Sequence, residues 1–510
     1  VDSVIVSGND GAGKVTIVDG GLQKNHPDLS QQQISGYNVL DGSTDPTSTS
    51  TTGDHGTFVA GIVGAKGWNN IGGRGVAPGV ELFGYNLLAK SATVSDEVNA
   101  LGQRSVVADT DIFNMSYGVT PTQISPQIDA TLHAALTDGV TNLRGGKGAI
   151  YIASSGNDYD KGGSATEDDY KFCGYWSMSA NYKVGCYDAG FDTRLTVPEI
   201  IAVGALAADG KKTSYSTPGS SIWVVAPGGE TGNDSSFTGA SFISSSGTAA
   251  PSGPAILSTD QTTCSKGYMS SANSSLRRNS FNNYSNPDAS NLTCDYALGG
   301  GGTSWAAPMV SGVAALMLEA NEDLTWRDVK HVLASTAVKV DQSFSATAIG
   351  GVDYVGWRTN AAGYNFHPWY GFGAVDAQAA VTAASNMTAN SLGTLTESGW
   401  LYSSTLNAEI GPTEAFSAIT LTGSGTVEAI RVVLYFNHAK PNHLGFRLQS
   451  PSGTFMTVLP PVTGLTQNPT NQAAVLLVNG FYGETFAGGW KLWAADQVNG
   501  TAGTLASWGI

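Results

Sequence analysis

The chain has 510 residues, more than one ordinary core accommodates, and 41% of them are hydrophobic. Charged residues are only 13%, glycine fills 65 positions, and the formal net charge is -16. This composition excludes a disordered chain, which would be highly charged and poor in aromatic residues. The acidic balance also excludes nucleic acid as a partner, because phosphate attracts the opposite charge.

Strand-like and helix-like patterns alternate along the first 385 residues. The predicted strands cover 15–18, 81–88, 111–116 and 149–155. The predicted helices cover 55–65, 125–143, 303–320, 325–335 and 374–385. This alternation predicts an α/β domain over residues 1–385, built on a doubly wound, mainly parallel sheet. In such a sheet the functional site lies at the carboxyl ends of the strands.

The pattern changes after residue 385. Residues 386–412 include a Ser/Thr/Asn-rich stretch and are predicted to be a linker. Residues 413–510 carry short β-branched runs separated by Gly, Pro and Asn, which is typical of an all-β jelly roll or sandwich. We expect Phe436, Phe446 and Trp490 to fill its core. Its role is open between stabilising the first domain, binding substrate and binding carbohydrate, and we favour stabilisation.

The chain is expected to be a secreted, extracellular protein in its mature form. Residues 1–3 lack the basic and apolar regions of a signal peptide, so any targeting or pro-segment is taken to have been removed. The longest apolar run, near 309–318, is too short to span a membrane.

Four cysteines stand at positions 173, 186, 264 and 294, without the CxxC spacing of a zinc site. Three pairings are open. Short loops close easily, which favours Cys173–Cys186 and Cys264–Cys294. The alternative is four free thiols in a reducing compartment.

Three motifs carry the chemistry. Ser304 follows a run of glycines and Thr303 at the start of a helix of small residues, so its hydroxyl would lie near free backbone N–H groups at the positive end of the helix dipole. His55 begins another helix of small residues, and Asp19 ends a buried strand, where a carboxylate needs a partner such as an imidazole N–H. Pro308 marks the serine helix as unusual, because proline cannot donate a helical hydrogen bond. The order Asp, His, Ser is that of subtilisin.

Residues 15–29, 54–61 and 302–312 resemble the three signature segments of the subtilase family. The resemblance covers roughly residues 13–385. It implies a parallel seven-stranded sheet and hydrolysis of peptide bonds through an acyl-enzyme, with Asp19, His55 and Ser304 as the triad. It also implies that the side chain of Asn157, with the backbone N–H of Ser304, binds the oxyanion.

Within that family the chain resembles the kexin branch. The segment 325–329 is similar to a kexin helix, and the C-terminal domain is similar to the kexin P domain. The resemblance implies that Ser116, Tyr117 and Gly118 bind substrate. This chain departs from kexins in two places. Kexins carry a second aspartate after the catalytic one, where this chain has Gly20. Their Trp-Gly segment, which corresponds to Tyr117-Gly118, is followed by acidic residues, where this chain has Val119-Thr120. An acid for a basic residue on the amino side of the scissile bond (P1) maps onto Asp192, with Asp188 as its rival.

Calcium is the cofactor that the resemblance implies. Asp28 and Asn69 match side-chain ligands of the family, and the backbone carbonyls near Lys66, Ile71 and Gly73 would complete an oxygen cage for a hard cation. A plain glycine turn is the alternative.

The sequence therefore predicts a secreted serine endopeptidase that favours basic P1 residues. A broad, subtilisin-like specificity is the alternative within enzymes, and a binding or adhesion protein with an inactive protease fold is the alternative from another class. Expected partners are protein and peptide substrates, with a propeptide or a folding chaperone.

Overall fold

The computed structural model describes residues 13–29, 34–119, 127–159, 183–232, 253–270, 279–283, 285–404, 406, 408–463, 474–498 and 503–510. Within these ranges the chain forms an α/β unit followed by an all-β unit, as the sequence predicts. None of the helices in the described ranges is long and apolar enough to cross a membrane.

In the described part of the first unit, seven parallel strands form one sheet in the order β2-β3-β1-β4-β5-β6-β7. They are β1 (Lys14–Val18), β2 (Ser35–Tyr37), β3 (Glu81–Tyr85), β4 (Ile112–Met115), β5 (Ile150–Ser154), β6 (Ile200–Leu206) and β7 (Ile222–Pro227). The central strands β1, β4, β5 and β6 are buried along their whole length, which accounts for their continuous apolar runs. The sequence pattern alone did not predict β2, β6 or β7.

Helices cover both faces of this sheet. They are α1 (His55–Gly64), α2 (Val94–Val98), α3 (Ala130–Asn142), α4 (Thr303–Ala320), α5 (Trp326–Thr336) and α6 (Ala377–Asn386). Helix α4 packs across β4, β5, β6 and β7. Thr325 caps α5, as predicted, in a reciprocal capping box with Asp328.

Smaller elements complete the first unit. Strands β8 (Leu257–Thr259) and β9 (Tyr296–Leu298) pair in antiparallel fashion, as do β10 (Arg358–Thr359) and β11 (Asn365–Phe366). The predicted Cys264–Cys294 disulfide is present beside the first of these pairs. The Cys173–Cys186 pairing stays a prediction, because Cys173 lies outside the described residues.

The second unit is a sandwich of two antiparallel sheets, ordered β12-β19-β14-β17 and β13-β18-β15-β16. Its strands are β12 (Ala408–Ile410), β13 (Ala415–Leu421), β14 (Ile430–Asn437), β15 (Leu444–Gln449), β16 (Phe455–Leu459), β17 (Ala474–Val478), β18 (Gly488–Asp496) and β19 (Gly503–Gly509). Phe436, Phe446 and Trp490 are buried in it, as expected. Strand β12 lies inside the predicted linker 386–412 yet pairs with β19, so the sheet begins before residue 413.

Candidate active site

The end of β1 and the start of α1 bring Asp19 and His55 together. Asp19 is buried, and its oxygens Oδ1 and Oδ2 lie 2.9 and 2.8 Å from Nδ1 of His55. The close approach depends on Gly56, where an added Cβ would lie 1.8 Å from the carbonyl oxygen of Gly21. The imidazole is therefore held by its Nδ1–H, with 32% of its side chain exposed.

The electrostatic balance at His55 favours its protonated form. Burial lowers the pKa of His55, but the adjacent Asp19 carboxylate outweighs burial, so the pKa lies above its ordinary value. The indole of Trp305 packs beside the imidazole, with ring centroids 4.9 Å apart. This arrangement suits a base that becomes an imidazolium during a reaction.

Ser304 lies in the first turn of α4. The residue before that helix, Gly302, is extended with φ -173°, and the helix begins at Thr303. The backbone N–H of Ser304 therefore belongs to the first four of the helix, which have no helical acceptor. The Ser304 hydroxyl donates to the carbonyl oxygen of Ser116 at 3.1 Å.

Pro308 explains a second contact between Ser304 and Ser116. In a regular helix the N–H of residue 308 would donate to the carbonyl of residue 304, four positions earlier, and proline has no N–H. The Ser116 hydroxyl takes over this role and donates to the Ser304 carbonyl at 2.9 Å. Asn114 in β4 in turn donates to the Ser116 hydroxyl at 3.0 Å. Ser116, predicted to bind substrate, thus also ties the serine to the end of β4.

Asn157 follows β5 and faces the same site. Its Oδ1 accepts hydrogen bonds from the backbone N–H and the hydroxyl of Thr303, both at 2.9 Å. These two donors fix which end of the amide is the oxygen. The side-chain NH₂ of Asn157 is therefore the end that remains for a ligand, and donors of this kind stabilise an oxyanion.

A cleft of about 190 Å³ opens beside Ser304 and Asn157. Its walls come from the ends of β4 and β5, from the segment around 187–192 and from Thr217. The predicted substrate-binding residues Tyr117, Gly118 and Asp192 all line it. The structure thus brings the predicted triad, Asn157 and these residues to one edge of the sheet.

The carboxylate of Asp192 already has a cationic partner. It accepts hydrogen bonds from the backbone N–H of Arg194 at 3.1 Å and from its Nε at 3.0 Å, and it forms a buried ion pair with the same guanidinium. It also accepts from the backbone N–H of Val119 at 3.2 Å. Arg194 also lies 3.1 Å from Oε1 of Glu97 through its Nη1, so the acid that the sequence placed in the P1 pocket shares its cationic partner with a second carboxylate.

The rival acid, Asp188, differs from Asp192 in its pKa and in its ion pairing. It lines the cleft, and burial raises its pKa to about 7, although the N–H of Gly190 donates to its Oδ1 at 2.8 Å. No Lys or Arg side chain forms an ion pair with Asp188 within the described part of the chain. A ligand cation would supply the charge that this site lacks.

Four of the five predicted calcium residues form one hydrogen-bonded cluster. The buried Asp28 carboxylate accepts from the Asn69 side chain at 2.6 Å through its Oδ1. The Lys66 N–H donates to the Asp28 carbonyl at 3.0 Å, and the Ile71 N–H donates to the Asn69 side-chain oxygen at 3.2 Å. Gly73 is exposed in the same loop.

This cluster has the chemistry of a hard-cation site with one acidic ligand. Among the described residues, no Lys or Arg side chain forms an ion pair with Asp28, and the second carboxylate oxygen accepts from the hydroxyl of Tyr296 at 3.1 Å. A buried carboxylate of this kind needs positive charge. No group of three or more His, Cys, Asp or Glu side chains suited to a metal occurs in the described ranges. A cation here would therefore depend on amide and backbone oxygens as well as on Asp28.

Sequence reasoning missed several residues that shape the site. Thr303 orients Asn157, Trp305 packs on His55, and Arg194 pairs with Asp192. Thr303 and Trp305 flank Ser304, so adjacency to the motif was the available signal. The Arg194 contact had no comparable signal, because it depends on how the short helix Thr193–Thr196 turns.

The Subtilase family profile matches residues 11–373, and the Proprotein convertase P-domain profile matches residues 427–510. The chain is 33% identical over 521 residues to the Aeromonas extracellular serine protease of Aeromonas sobria, covering 96% of this chain and 78% of that protein. It is 25% identical to the dibasic-processing endoprotease of Schizosaccharomyces pombe, covering 97% of this chain and 59% of that protein. The crystal structure of the A. sobria protease with its chaperone ORF2 superposes with a TM-score of 0.84 at 29% identity, covering 98% and 87% of the two chains. The chain therefore belongs to the subtilase family, as a serine protease with kexin-like relatives and a C-terminal P-domain.

Proposed function

We propose that the chain is a secreted serine endopeptidase with Ser304 as nucleophile, His55 as general base and Asp19 as the orienting carboxylate. The observation that supports this most strongly is the pairing of His55 with both oxygens of Asp19, while the imidazole packs on Trp305, the residue next to Ser304 in the first turn of a helix. Asn157 and the backbone N–H of Ser304 are the proposed oxyanion donors.

The reaction follows from these positions. The Ser304 hydroxyl turns from the Ser116 carbonyl toward Nε2 of His55, gives up its proton there and bonds to the substrate carbonyl carbon. The negative charge that develops on the carbonyl oxygen is stabilised by the Asn157 side chain and the Ser304 N–H. His55 then protonates the leaving amine as the C–N bond breaks, and water hydrolyses the acyl-enzyme by the reverse sequence of proton transfers.

For specificity we propose a preference for basic P1 residues, with Asp188 as the recognising acid. Its raised pKa and its lack of a paired cation support this role, whereas the Arg194 partner of Asp192 weakens the alternative assignment. Because the pKa of Asp188 is raised to about 7, its charge is present above that pH and is lost as the pH falls through it. Preference for Arg at P1 should therefore strengthen as pH rises past 7.

The first experiment is labelling with a fluorophosphonate and hydrolysis of peptide amides that carry Arg, Lys, Phe or Leu at P1. Labelling lost in Ser304→Ala would support the triad. The role of Asp188 in P1 recognition would be supported if the preference for Arg and Lys is lost in Asp188→Asn and is kept in the surface control Asp209→Asn. Preference for Phe or Leu would establish broad specificity, and an unlabelled Ser304 would favour the binding-protein alternative.

Secretion, calcium and a helper protein belong to the same proposal. The related A. sobria protease is named as extracellular, and its crystal structure was determined in complex with a chaperone. We therefore propose that this chain is an extracellular enzyme that folds with a chaperone or a propeptide. Calcium held by Asp28 and Asn69, with carbonyls near Lys66, Ile71 and Gly73, is proposed to stabilise the loop and takes no part in the chemistry.

We further propose that residues 1–385 form the catalytic domain and that the P-domain, predicted to begin at 413, begins with β12 and ends at 510; its proposed role is to stabilise the catalytic domain. Arg327 of α5 forms a two-pronged ion pair with Glu428, which lies just before β14 of the sandwich. Asn360 donates to the carbonyls of Gly480 and Tyr482 at 2.9 and 2.8 Å. Truncation after residue 390 would break these contacts, and a soluble, fully active truncated protein would refute the stabilising role.

A further inference from the structure

Strand β17 of the P-domain contacts the outer side of a wall of the substrate cleft. A Cβ added at Gly190 would lie 2.6 Å from Cδ2 of Leu476, which shows that the fully buried Leu476 packs directly on the backbone there. Gly190 belongs to the short helix Ala189–Phe191, and Ala189 and Phe191 line the cleft on the opposite side. One layer of backbone thus separates the P-domain from the cleft.

A second cleft segment is hydrogen-bonded to the same edge of the P-domain. The Ser220 hydroxyl donates to the carbonyl of Leu477 at 2.8 Å, and the backbone N–H of Asn479 donates to the Ser220 carbonyl at 3.0 Å. The Asn479 side chain donates to the carbonyl of Ser221 at 2.8 Å. These contacts satisfy the Leu477 carbonyl of β17 and the backbone N–H of Asn479 at the sheet edge that has no neighbouring strand, where backbone groups would otherwise need another partner.

The two segments are also tied to each other and to the catalytic loop. The Ala189 N–H donates to the Pro218 carbonyl at 2.7 Å. Thr217 lines the cleft, its N–H donates to the Gly156 carbonyl at 3.0 Å, and its hydroxyl accepts from the Asp158 N–H at 2.9 Å. Asn157 lies between those last two residues, so the segment 217–221 adjoins the loop that carries the proposed oxyanion donor.

From these contacts we propose that Leu476 and Asn479 of the P-domain are positioning residues for the P1 pocket. They hold the segments 188–192 and 217–221 against each other, and so they fix the position of Asp188. This inference rests on the proposed function of the cleft as the P1 site. A displacement of about 1 Å in a substrate-positioning element can cost on the order of 10²-fold in rate.

The test is a double-mutant cycle on the Leu476–Gly190 contact. Leu476→Ala leaves the helix Ala189–Phe191 unsupported and should lower kcat/KM for an Arg-P1 peptide amide by about 10-fold, mainly through KM. Gly190→Ala places a methyl group 2.6 Å from Cδ2 of Leu476 and 3.1 Å from Oδ1 of Asp188, and it should lower kcat/KM at least as much. The double variant should lose less than the sum of the two single losses, because the methyl group fills space that the leucine vacated even though its contact with Asp188 remains.

Controls separate positioning from general loss of stability. Leu492→Ala removes an equally buried leucine from the other sheet of the sandwich and should leave the P1 preference unchanged below its Tm. If Leu476→Ala does not fold, Ser220→Ala supplies the milder change, since it removes one hydroxyl, and it should raise KM for the Arg substrate about 3-fold. Additive losses in the cycle, or equal kinetics for folded Leu476→Ala and Leu492→Ala, would overturn the inference.

Fluorophosphonate labelling distinguishes this inference from the proposed function. A small fluorophosphonate without a P1 side chain reports on Ser304, His55 and the oxyanion donors and makes little use of the P1 pocket. If wild type is not labelled, the proposed function fails. If wild type and Leu476→Ala are labelled at rates within about 3-fold while peptide KM differs, the positioning role is supported. Unchanged peptide KM with normal labelling refutes the positioning role alone.

Discussion

The hydroxyl of Ser116 replaces a backbone donor that Pro308 cannot provide, and this substitution of one donor for another can be tested. Ser116→Ala leaves the carbonyl of Ser304 without its 2.9 Å hydrogen bond in a partly buried setting. An unsatisfied buried acceptor costs about 1–3 kcal/mol, so urea unfolding should show a loss of that size. Activity should fall as well, because the first turn that carries Ser304 is no longer fixed to β4.

Pro308→Ala supplies the compensating change. Alanine restores an N–H four residues after Ser304, where a regular helix donates to the Ser304 carbonyl. We therefore expect Pro308→Ala to be about 1 kcal/mol more favourable to the unfolding free energy when introduced into Ser116→Ala than when introduced into the wild type.

The assay is the four-variant cycle, measured by urea unfolding with equal m-values and by kcat/KM on one peptide amide. Ser385→Ala is a suitable control, since that hydroxyl donates to the Val381 carbonyl on the exposed helix α6. Additive losses for Ser116→Ala and Pro308→Ala would refute the replacement of one donor by the other.

Three further predictions concern the chemistry and the cation. Asn157→Ala should lower kcat by about 10²–10³-fold with KM little changed, and a change confined to KM in steady-state kinetics would contradict its role. Because Asp19 holds the pKa of His55 above its ordinary 6.5 and the base must be neutral, kcat/KM should rise with pH through a midpoint above 6.5. Asp19→Asn should move that midpoint to lower pH and reduce kcat by about 10⁴-fold; an unmoved midpoint in the pH profile would refute the assignment. Chelation of calcium should lower the unfolding free energy by about 2.7 kcal/mol relative to calcium at 100 times its Kd, and Asp28→Asn should abolish that difference in calorimetry.

The sequence was sufficient to predict the main parts of the candidate site, for a physical reason. Asp19, Ser116 and Asn157 each follow a buried strand, and parallel strands bring their carboxyl ends to one edge. His55 and Ser304 each begin, or nearly begin, a helix of small residues, which can approach that edge closely. Such information is local in sequence, and the fold class makes the residues neighbours.

The charge state of the cleft could not be predicted in this way. Counting residues placed Asp192 beside the cleft, and the structure agrees with that position. Its ion pair with Arg194 depends on the turn of the helix Thr193–Thr196, which spacing does not specify. Asp188, four residues earlier, also lines the cleft, but it has no cationic partner of this kind among the described residues. Whether an acid is available to a ligand is thus decided by three-dimensional pairing, which a one-dimensional motif does not contain.

The sequence of β17 does indicate the contact between the two domains. Strands in a sandwich usually alternate between buried and solvated residues, as the mixed burial of β13 shows. Strand β17 is the edge strand of its sheet, yet its sequence Ala-Val-Leu-Leu-Val is apolar throughout and all five residues are buried. An edge strand without alternation must have its second face covered. In this protein the cover includes the short helices Ala189–Phe191 and Thr193–Thr196 of the first unit, so the unbroken apolar run at 474–478 indicates a P-domain fitted to the first unit beside the proposed P1 pocket.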